Sequence, residues 1–536
     1  MSSDRQNIDR TPTEKADVCI VGAGPAGGIV AAKLAKRGYD VVVLDAGPRF
    51  DFEDRDERME RHLRPGNRKP VWDVGGPRDA YTSSGEKYYP LNASRVKGIG
   101  GSTLHWQGMV MRLHEQDFSL HSETEMGDDW PIDYADLRPY YADAEEELGV
   151  AGASDNPFAP PREQPHPMPA FPPSYSDSLF ADACKELGIT THSVPNARNS
   201  EPYDGDSPCV GYGTCKPVCP SGAKYDATRH VEEAEEHGAR VLDRVPVQRL
   251  EHDAAGERVT GAVYATPEGE EYTQEAREFV VAAGGVETPR LLLLSKSEQY
   301  PDGLANSSGL VGRYFMDHLF AGMGGVLPDQ RTRQKHVGFN TTETHQFYDR
   351  DSAERTAIKM EFLNYAGPEP ADVALEADSF GDDLLDEIRS AYGHHVAVGA
   401  LVEQLPQKEN RIRLDPSTTD AHGNPVPDVV WSLDDRTRRT IERANEIQRR
   451  ILTELGAEIQ WHVGPENTGP AFHHMGTTRM GTNPEESVVN PQLRTHDLRN
   501  LSIAGSAPFV TCGAMNPTLT IAALSSKTAD HVAERL

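Results

Sequence analysis

The sequence predicts an α/β fold in which a Rossmann-like parallel-sheet domain, assembled from separate stretches of chain, is joined to an α+β domain with an antiparallel sheet. Three observations predict it. A strand–glycine turn–helix–strand unit opens the chain, a second apolar strand and helix follow at Phe279–Leu294, and alternating segments fill the interval from about Leu319 to Trp461. Parallel strands buried on both faces read as continuous apolar runs, whereas half-solvated antiparallel strands alternate.

The opening unit runs from Ala16 to Asp45 and reads ADVCIVGAGPAGGIVAAKLAKRGYDVVVLD. Asp17–Val21 is a short apolar strand, Ile29–Arg37 a helix, and Gly38 is placed to end it. Val41–Leu44 is a second strand leading into Asp45. Between them Gly22, Gly24 and Gly27 form G-x-G-x-x-G. Gly22 allows the tight turn, Gly24 lets backbone approach a pyrophosphate, and Gly27 lets helix and strand pack closely. The helix N-terminus faces the phosphates, and Asp45 can accept ribose hydroxyls. The acid falls at about the ~20-residue spacing expected, which favours a dinucleotide site over a glycine-rich turn in an ordinary βαβ unit. The motif alone does not choose between FAD and NAD.

Beyond Asp45 a charged, Pro/Gly-punctuated region extends to about Lys87. Arg95–Met109, RVKGIGGSTLHWQGM, follows. Its Gly98, Gly100 and Gly101 permit close backbone approach to a ligand, and Ser102 and Thr103 can donate to phosphate. Asp155–Ser174 reads as an extended connection and Ser176–Leu187 as a helix. His230–His237 is helical, Ala239–Asp243 a strand, and Val245–Leu250 extended. Phe279–Ala283 ends at Gly284-Gly285 before a helix at Glu287–Leu294. Antiparallel strands are expected at Ala357–Asn364, His395–Glu403, Arg411–Leu414 and Asp428–Trp431, flanked by helices near Ser379–Ala391 and Thr437–Leu455. Leu501–Ala504 is a strand, followed by Gly505-Ser506 and a final helix from Asn516. The division expected is residues 14–115, 205–318 and 465–536 for the cofactor domain, and 116–204 and 319–464 for the substrate domain.

Composition bounds the partners. The 536 residues exceed one ordinary core. Formal charge is −30, the isoelectric point is about 5.1 and mean hydropathy is −0.60. Such acidity argues against nucleic acid or an anionic membrane as partner. With arginine far outnumbering lysine, it fits a high-salt cytoplasm, where screening removes self-repulsion. No apolar run approaches the ~20 residues that span a bilayer. The polar N-terminus carries no export signal, so a cytoplasmic location is expected.

The C-terminal blocks read FHHMGTTRMG, Phe472–Gly481, and NLSIAGSAPFVTCGAMNPTLTIAALSSKTADHV, Asn500–Val532. With GAGPAGG…DAGP at Gly22–Pro48, GIGGST at Gly98–Thr103, FVVAAGGVETPRLL at Phe279–Leu292 and LVGRYFMDH at Leu310–His318, the chain resembles the glucose–methanol–choline (GMC) oxidoreductases, which bind FAD. The resemblance implies FAD contacts at Gly22, Gly24, Gly27, Asp45, Gly100, Gly101, Ser102, His105, Val245, Gly284, Gly505, Ser506 and Pro517. It implies a catalytic pair at His473 and Asn516. A neutral imidazole with pKa near ~6.5 can take a hydroxyl proton while hydride leaves carbon, and an amide beside it can hold the substrate oxygen. The helix opened by Asn516-Pro517 can stabilise negative charge on reduced flavin. His474 is expected to be structural. Read without the resemblance, His473 fits a satisfied histidine or a metal ligand better than a catalytic base. His105-Trp106 match the placement of a histidine that some relatives bond covalently to flavin; packing against the ring is the expectation here. Asn500–Ser506 lacks the Asp that many members carry before the Ser, as the resembled branch tolerates.

Three of the six cysteines, Cys209, Cys215 and Cys219, lie in C-x5-C-x3-C-P. In a large chain of this kind such a cluster suggests metal or redox chemistry rather than disulfides. The stretch is similar to that of the bacterial FAD-dependent glucose dehydrogenase catalytic subunit, and the likeness implies a [3Fe–4S] cluster; Leu401–Pro427 resembles the same gluconate, sorbitol and glucose dehydrogenase branch. Three thiolates suit a cuboidal cluster lacking one iron. A [4Fe–4S] cluster with another fourth ligand, zinc lacking an evident fourth ligand, and three merely buried thiols are the alternatives. Cys19, Cys184 and Cys512 read as packing residues.

The expected activity is therefore an FAD-dependent dehydrogenase oxidising a CH–OH group of a sugar, polyol or sugar acid. Electrons would leave through the cluster to a protein acceptor, a cytochrome or a quinone-linked partner. A hydrogen-peroxide-forming oxidase, a non-redox flavoprotein lyase and an electron-relay protein are the rival readings.

Overall fold

The structure, a computed structural model, describes residues 8–64, 71–332, 340–350, 354–363 and 366–536. Its first sheet runs in the order Arg240–Leu242, Val41–Leu44, Ala16–Val21, Glu271–Val281, Val259–Ala265, Val247–His252. The first four strands are parallel, and Leu501–Ile503 adds a further parallel strand to Phe279–Val281. Glu271–Val281 serves two sheets in one: its N-terminal half pairs antiparallel with Val259–Ala265 and its C-terminal half joins the parallel set. The apolar runs read from sequence are these strands, and Val18–Ile20 and Val41–Val43 have no exposed surface.

The first helix spans Pro25–Lys36 and starts four residues before the expected Ile29. Pro25 sits in its first turn, where a missing N–H costs nothing. The sequence hid this start because Gly27 and Gly28 are poor helix formers. Gly27 is required by packing: a Cβ on it would lie 1.8 Å from the Gly22 carbonyl oxygen. The final helix, Thr518–Ala533, packs beside the first.

The second sheet is antiparallel, in the order Glu458–Val463, Leu319–Val326, His395–Val402, Ile358–Phe362, Thr342–Thr344, His192–Ser193. One face is covered by the helix Asp435–Glu454 through Ile441, Ala444, Ile447 and Ile451. Strand periodicity sorts Ile358–Phe362: Ile358, Met360 and Phe362 join that apolar layer, while Lys359 and Glu361 point to the other face.

Several details differ from expectation. The charged stretch after Phe52 holds a helix at Arg55–Leu63, carrying i,i+4 pairs Glu57–Arg61 and Glu60–Arg64. Arg411–Thr419 and Pro425–Val430 form a hairpin that pairs with Thr82–Ser84, outside the main antiparallel sheet, and packs on the helix Gly284–Leu294. The helix Asp382–Ala391 forms but buries none of its residues, so it covers no sheet. Asn364, the expected end of one strand, lies outside the described residues. Among the described residues no helix is long and apolar enough to cross a membrane.

Gly27→Ala is expected to lower the thermal midpoint, because the extra methyl meets backbone rather than a movable side chain. Overpacking of this kind costs about 1–3 kcal/mol. An unchanged midpoint in a melting experiment would contradict the close strand–helix contact.

Candidate active site

A cavity of about 410 Å³ opens at the carboxyl ends of the parallel strands, the usual ligand position in such sheets. Three helices start at its wall, at Pro25, Gly284 and Thr518, and none has a side-chain cap. Their uncapped N–H groups make the cavity attractive to anions. Gly22, with φ +102°, turns the chain at the strand end, and a Cβ there would sit 2.7 Å from the Ala282 carbonyl oxygen. Gly24 and Gly101 face each other, and a Cβ on Gly101 would come within 3.0 Å of Gly24 Cα. Asp45 lines the cavity while its carboxylate accepts the Ala23 and Gly47 N–H groups at 2.8 and 2.9 Å. Burial raises its pKa despite those bonds.

Of the other expected contacts, Ser102, His105, Gly284, Gly505, Ser506 and Pro517 also line the cavity. Gly27, Gly100 and Val245 do not. Gly27 packs against Gly22, Gly100 donates to the Ala23 carbonyl, and the Val245 side chain is in the core with its N–H on the Asp45 carbonyl. Pro246 and Val247 form the wall in place of Val245. Burial, with Lys216 and Lys224 nearby, brings His105 down to a pKa of about 3, so it is neutral.

His473 and Asn516 both line the cavity. Phe472, at φ +71°, places a non-glycine residue in the left-handed region just before His473. The His473 N–H then reaches Asp317 Oδ1 at 2.8 Å. The side chain of His473 meets a residue the sequence reading quoted only within a motif. His318 Nδ1 lies 2.8 Å from His473 Nδ1, and His318 Nε2 lies 2.9 and 3.3 Å from the carbonyls of Gly513 and Cys512. Carbonyls only accept, so His318 carries its proton on Nε2. Its Nδ1 is then the acceptor, and His473 must donate from Nδ1. That leaves Nε2 of His473 unprotonated in a side chain facing the cavity. Burial and the neighbouring His318 and Lys359 hold the His473 pKa well below the usual imidazole range.

Asn516 is fixed from behind. Lys359 Nζ donates to its Oδ1 at 2.7 Å and also meets Glu361 at 2.6 Å and Glu343 at 3.3 Å. With Oδ1 so engaged, the amide NH₂ is the end left to donate toward a ligand. The sequence signal for Lys359 was a lone lysine in an otherwise apolar strand, visible only once that strand's two faces are assigned. His474, expected to be structural, also lines the cavity; its ring lies 3.0 Å from Ser94 Oγ and packs edge-on with Tyr89.

Cys215 and Cys219 are buried, Cys209 is half-buried, and no cysteine is in a disulfide. The Gly211 N–H bonds the Cys209 sulfur and the Lys224 N–H bonds the Cys219 sulfur, with Ser221 Oγ 3.7 Å from the latter. Burial pushes the Cys219 thiol up, but these donors and the Lys224 ammonium outweigh it and lower its pKa. The three sulfurs are not all within 4.8 Å of one another, as one metal ion would need. Two other groups are: His192–Glu343–His345 and Glu147–His230–Glu233. Both are tied by internal bonds, His345 to Glu343 at 3.0 Å and His230 to Glu147 at 2.9 Å. The cysteine loop reaches the cavity through Lys216, next to Cys215, which lines it and lies 5.6 Å from the Phe472 ring.

Comparison with known proteins bears on this geometry. Residues 89–320 and 406–525 match profiles described as GMC oxidoreductase, and residues 20–60 match an NAD(P)-binding Rossmann-like domain. The chain is 36% identical to the fructose dehydrogenase large subunit of Gluconobacter japonicus, over 97% of this chain and 98% of that protein. It is 31% identical to a 2-methyl-1,2-propanediol dehydrogenase of Mycolicibacterium austroafricanum, over 98% and 96%. A formate oxidase structure from Aspergillus oryzae superposes with a TM-score of 0.69 at 16% identity, covering 99% of each chain, which speaks to the fold.

Burial raises the Asp317 carboxyl to a pKa of about 7, although Tyr89 and the His473 N–H bond it. A carboxyl raised on folding contributes stability below its unfolded value near ~4 and loses it as pH rises through the folded value. Asp317→Asn should therefore gain stability relative to wild type between pH 5 and pH 8, by an amount on the order of a few kcal/mol. A variant-minus-wild-type difference in thermal midpoint that stays flat over that range would refute the assignment.

Proposed function

The chain belongs to the GMC oxidoreductase family, FAD-dependent enzymes acting on CH–OH groups, and we propose that it is a dehydrogenase of a sugar, polyol or sugar acid. The observation that carries the reading is the fixed His473 tautomer beside Asn516 in the cavity. The cavity suits FAD: uncapped helix starts and the Gly24–Gly101 approach match a pyrophosphate, and Asp45 matches ribose hydroxyls. When bound, FAD supplies the hydride acceptor for the carbon that bears the hydroxyl. His473 Nε2 takes the hydroxyl proton, and its Nδ1–H bond to His318 persists in the imidazolium, spreading the charge. The Asn516 amide, pinned by Lys359, donates to the substrate oxygen and holds it within reach of Nε2. Neutral His105 adds no charge to the cavity wall.

The acceptor follows from the cysteine loop. Cys209, Cys215 and Cys219, with donors aimed at two of their sulfurs, fit a cluster of separated irons better than a single ion. A cluster beside the flavin serves one-electron transfer to a cytochrome or quinone-linked protein, which favours dehydrogenase over oxidase.

Two measurements test this. Anaerobically purified protein should hold about three irons per flavin, bleach with a sugar or polyol, and pass electrons to a mediator without substrate-dependent oxygen uptake. Iron-free protein that consumes oxygen would make it an oxidase, and flavin that stays yellow during turnover a lyase. His473→Ala should lower kcat about a hundred- to ten-thousand-fold with flavin retained. His318→Phe should lower kcat, because the His473 Nδ1–H loses the acceptor that fixes its tautomer. His318→Gln, which keeps an acceptor and a donor, should restore much of it; equal loss in the two variants would argue against the tautomer role.

A further inference from the structure

Lys224 follows the cysteine loop, and its side chain is fully buried. Its Nζ donates to the carbonyl oxygens of Trp106 at 2.7 Å, Cys215 at 3.1 Å, and Thr103 and Leu104 at 3.3 Å each. Two loops thus share one ammonium: the glycine turn at the cofactor cavity and the loop of the three cysteines. Among the described residues no carboxylate lies within ion-pair distance of it. Asp226, two residues on, is taken by Arg55 at 2.6 Å. A second buried cation, Arg198, donates to the Gln107 carbonyl at 3.0 Å and shares an electrostatic environment with Lys224, Cys209 and Cys219.

Buried ammonium groups without an anion are rare because desolvation disfavours them strongly. Carbonyl dipoles offset part of that cost, but they carry no net charge. Something anionic belongs in this pocket, and the groups facing it are thiols. Three thiolates on an iron–sulfur core of one positive charge carry net negative charge, which the Lys224 ammonium offsets in part.

We propose that Lys224 is the fixed counter-cation of the cluster held by Cys209, Cys215 and Cys219, and that its charge sets the cluster's reduction potential. The inference rests on the cluster reading given above. Its peptide N–H on the Cys219 sulfur and its ammonium on the Cys215 carbonyl apply two of the known levers on such potentials, hydrogen bonds to sulfur and local charge. Reduction adds negative charge to the cluster, so a fixed cation favours the reduced form. A purely structural role, tying two loops together, would leave the potential alone.

The experiment compares wild type with Lys224→Met and Lys224→Arg, purified anaerobically. Iron, sulfide and flavin are counted, and the cluster potential is titrated by EPR. In Lys224→Met the equilibrium constant for cluster reduction should fall at least tenfold, a downward shift of 59 mV or more for one electron, or the cluster should be lost while flavin stays. Lys224→Arg should hold the cluster within tenfold of wild type. Should Lys224→Met fail to fold, Lys224→Gln, which keeps amide donors for the carbonyls but no charge, carries the same comparison. Iron-loaded Lys224→Met with an unchanged potential overturns the counter-cation role alone. Wild type without iron after reconstitution overturns the cluster reading, and this inference with it.

Discussion

One bond orders the chemistry of this site: the Nε2–H of His318 on the carbonyls of Cys512 and Gly513. Backbone oxygens cannot donate, so the proton's place on His318 is settled by the fold. The tautomer of His473 follows, and with it the nitrogen that faces the cavity. His318 sits where the chain leaves the cofactor side and enters the antiparallel sheet at Leu319. Lys359 does the same service for Asn516 from the next strands of that sheet. The sheet expected to recognise substrate thus also positions His473 and Asn516, the pair proposed for proton transfer.

The segment 512–516 is braced on several sides. His318 takes two of its carbonyls, the Tyr348 hydroxyl accepts the Ala514 N–H at 3.1 Å, and Lys359 holds Asn516. Tyr348 itself donates to Asp117, and Asp117 and Glu403 are both bound by the fully buried Arg350. Breaking one partner of such a buried set costs about 3–5 kcal/mol, since the others are left charged and dry. That rigidity balances the strained Phe472 backbone, a conformation worth about 1–3 kcal/mol that only a well-determined surround retains.

How much of this was legible in the sequence depended on range. Gly22, Gly24, Gly101 and Asp45 could be read because each answers a local demand of strand, turn or backbone approach. His473 and Asn516 were readable through the resemblance. His318 and Lys359 were not singled out, because their partners, His473 and Asn516, lie 155 and 157 residues away and meet them only in the fold. Val245 was placed one residue from the wall that Pro246 and Val247 form, an error of the size that irregular extended chain invites. Gly27 and Gly28 concealed the true start of the first helix because intrinsic propensity was overridden by contact. Lys224 carried no signal at all, since only burial makes a lysine unusual.

The first helix lies against the last, and the strand Leu501–Ile503 completes the sheet that Ala16–Val21 begins. On the ribosome, therefore, the opening strands emerge long before their final partners. Until Leu501–Ile503 emerges, Phe279–Val281 presents an apolar edge to solvent, which is a template for association. The cofactor cavity is complete only once Thr518, where its third helix starts, has joined the rest of the wall. Chains that carry Phe279–Val281 without Leu501–Ile503 are thus the species open to association, a matter of assembly order and separate from the stability of the folded protein.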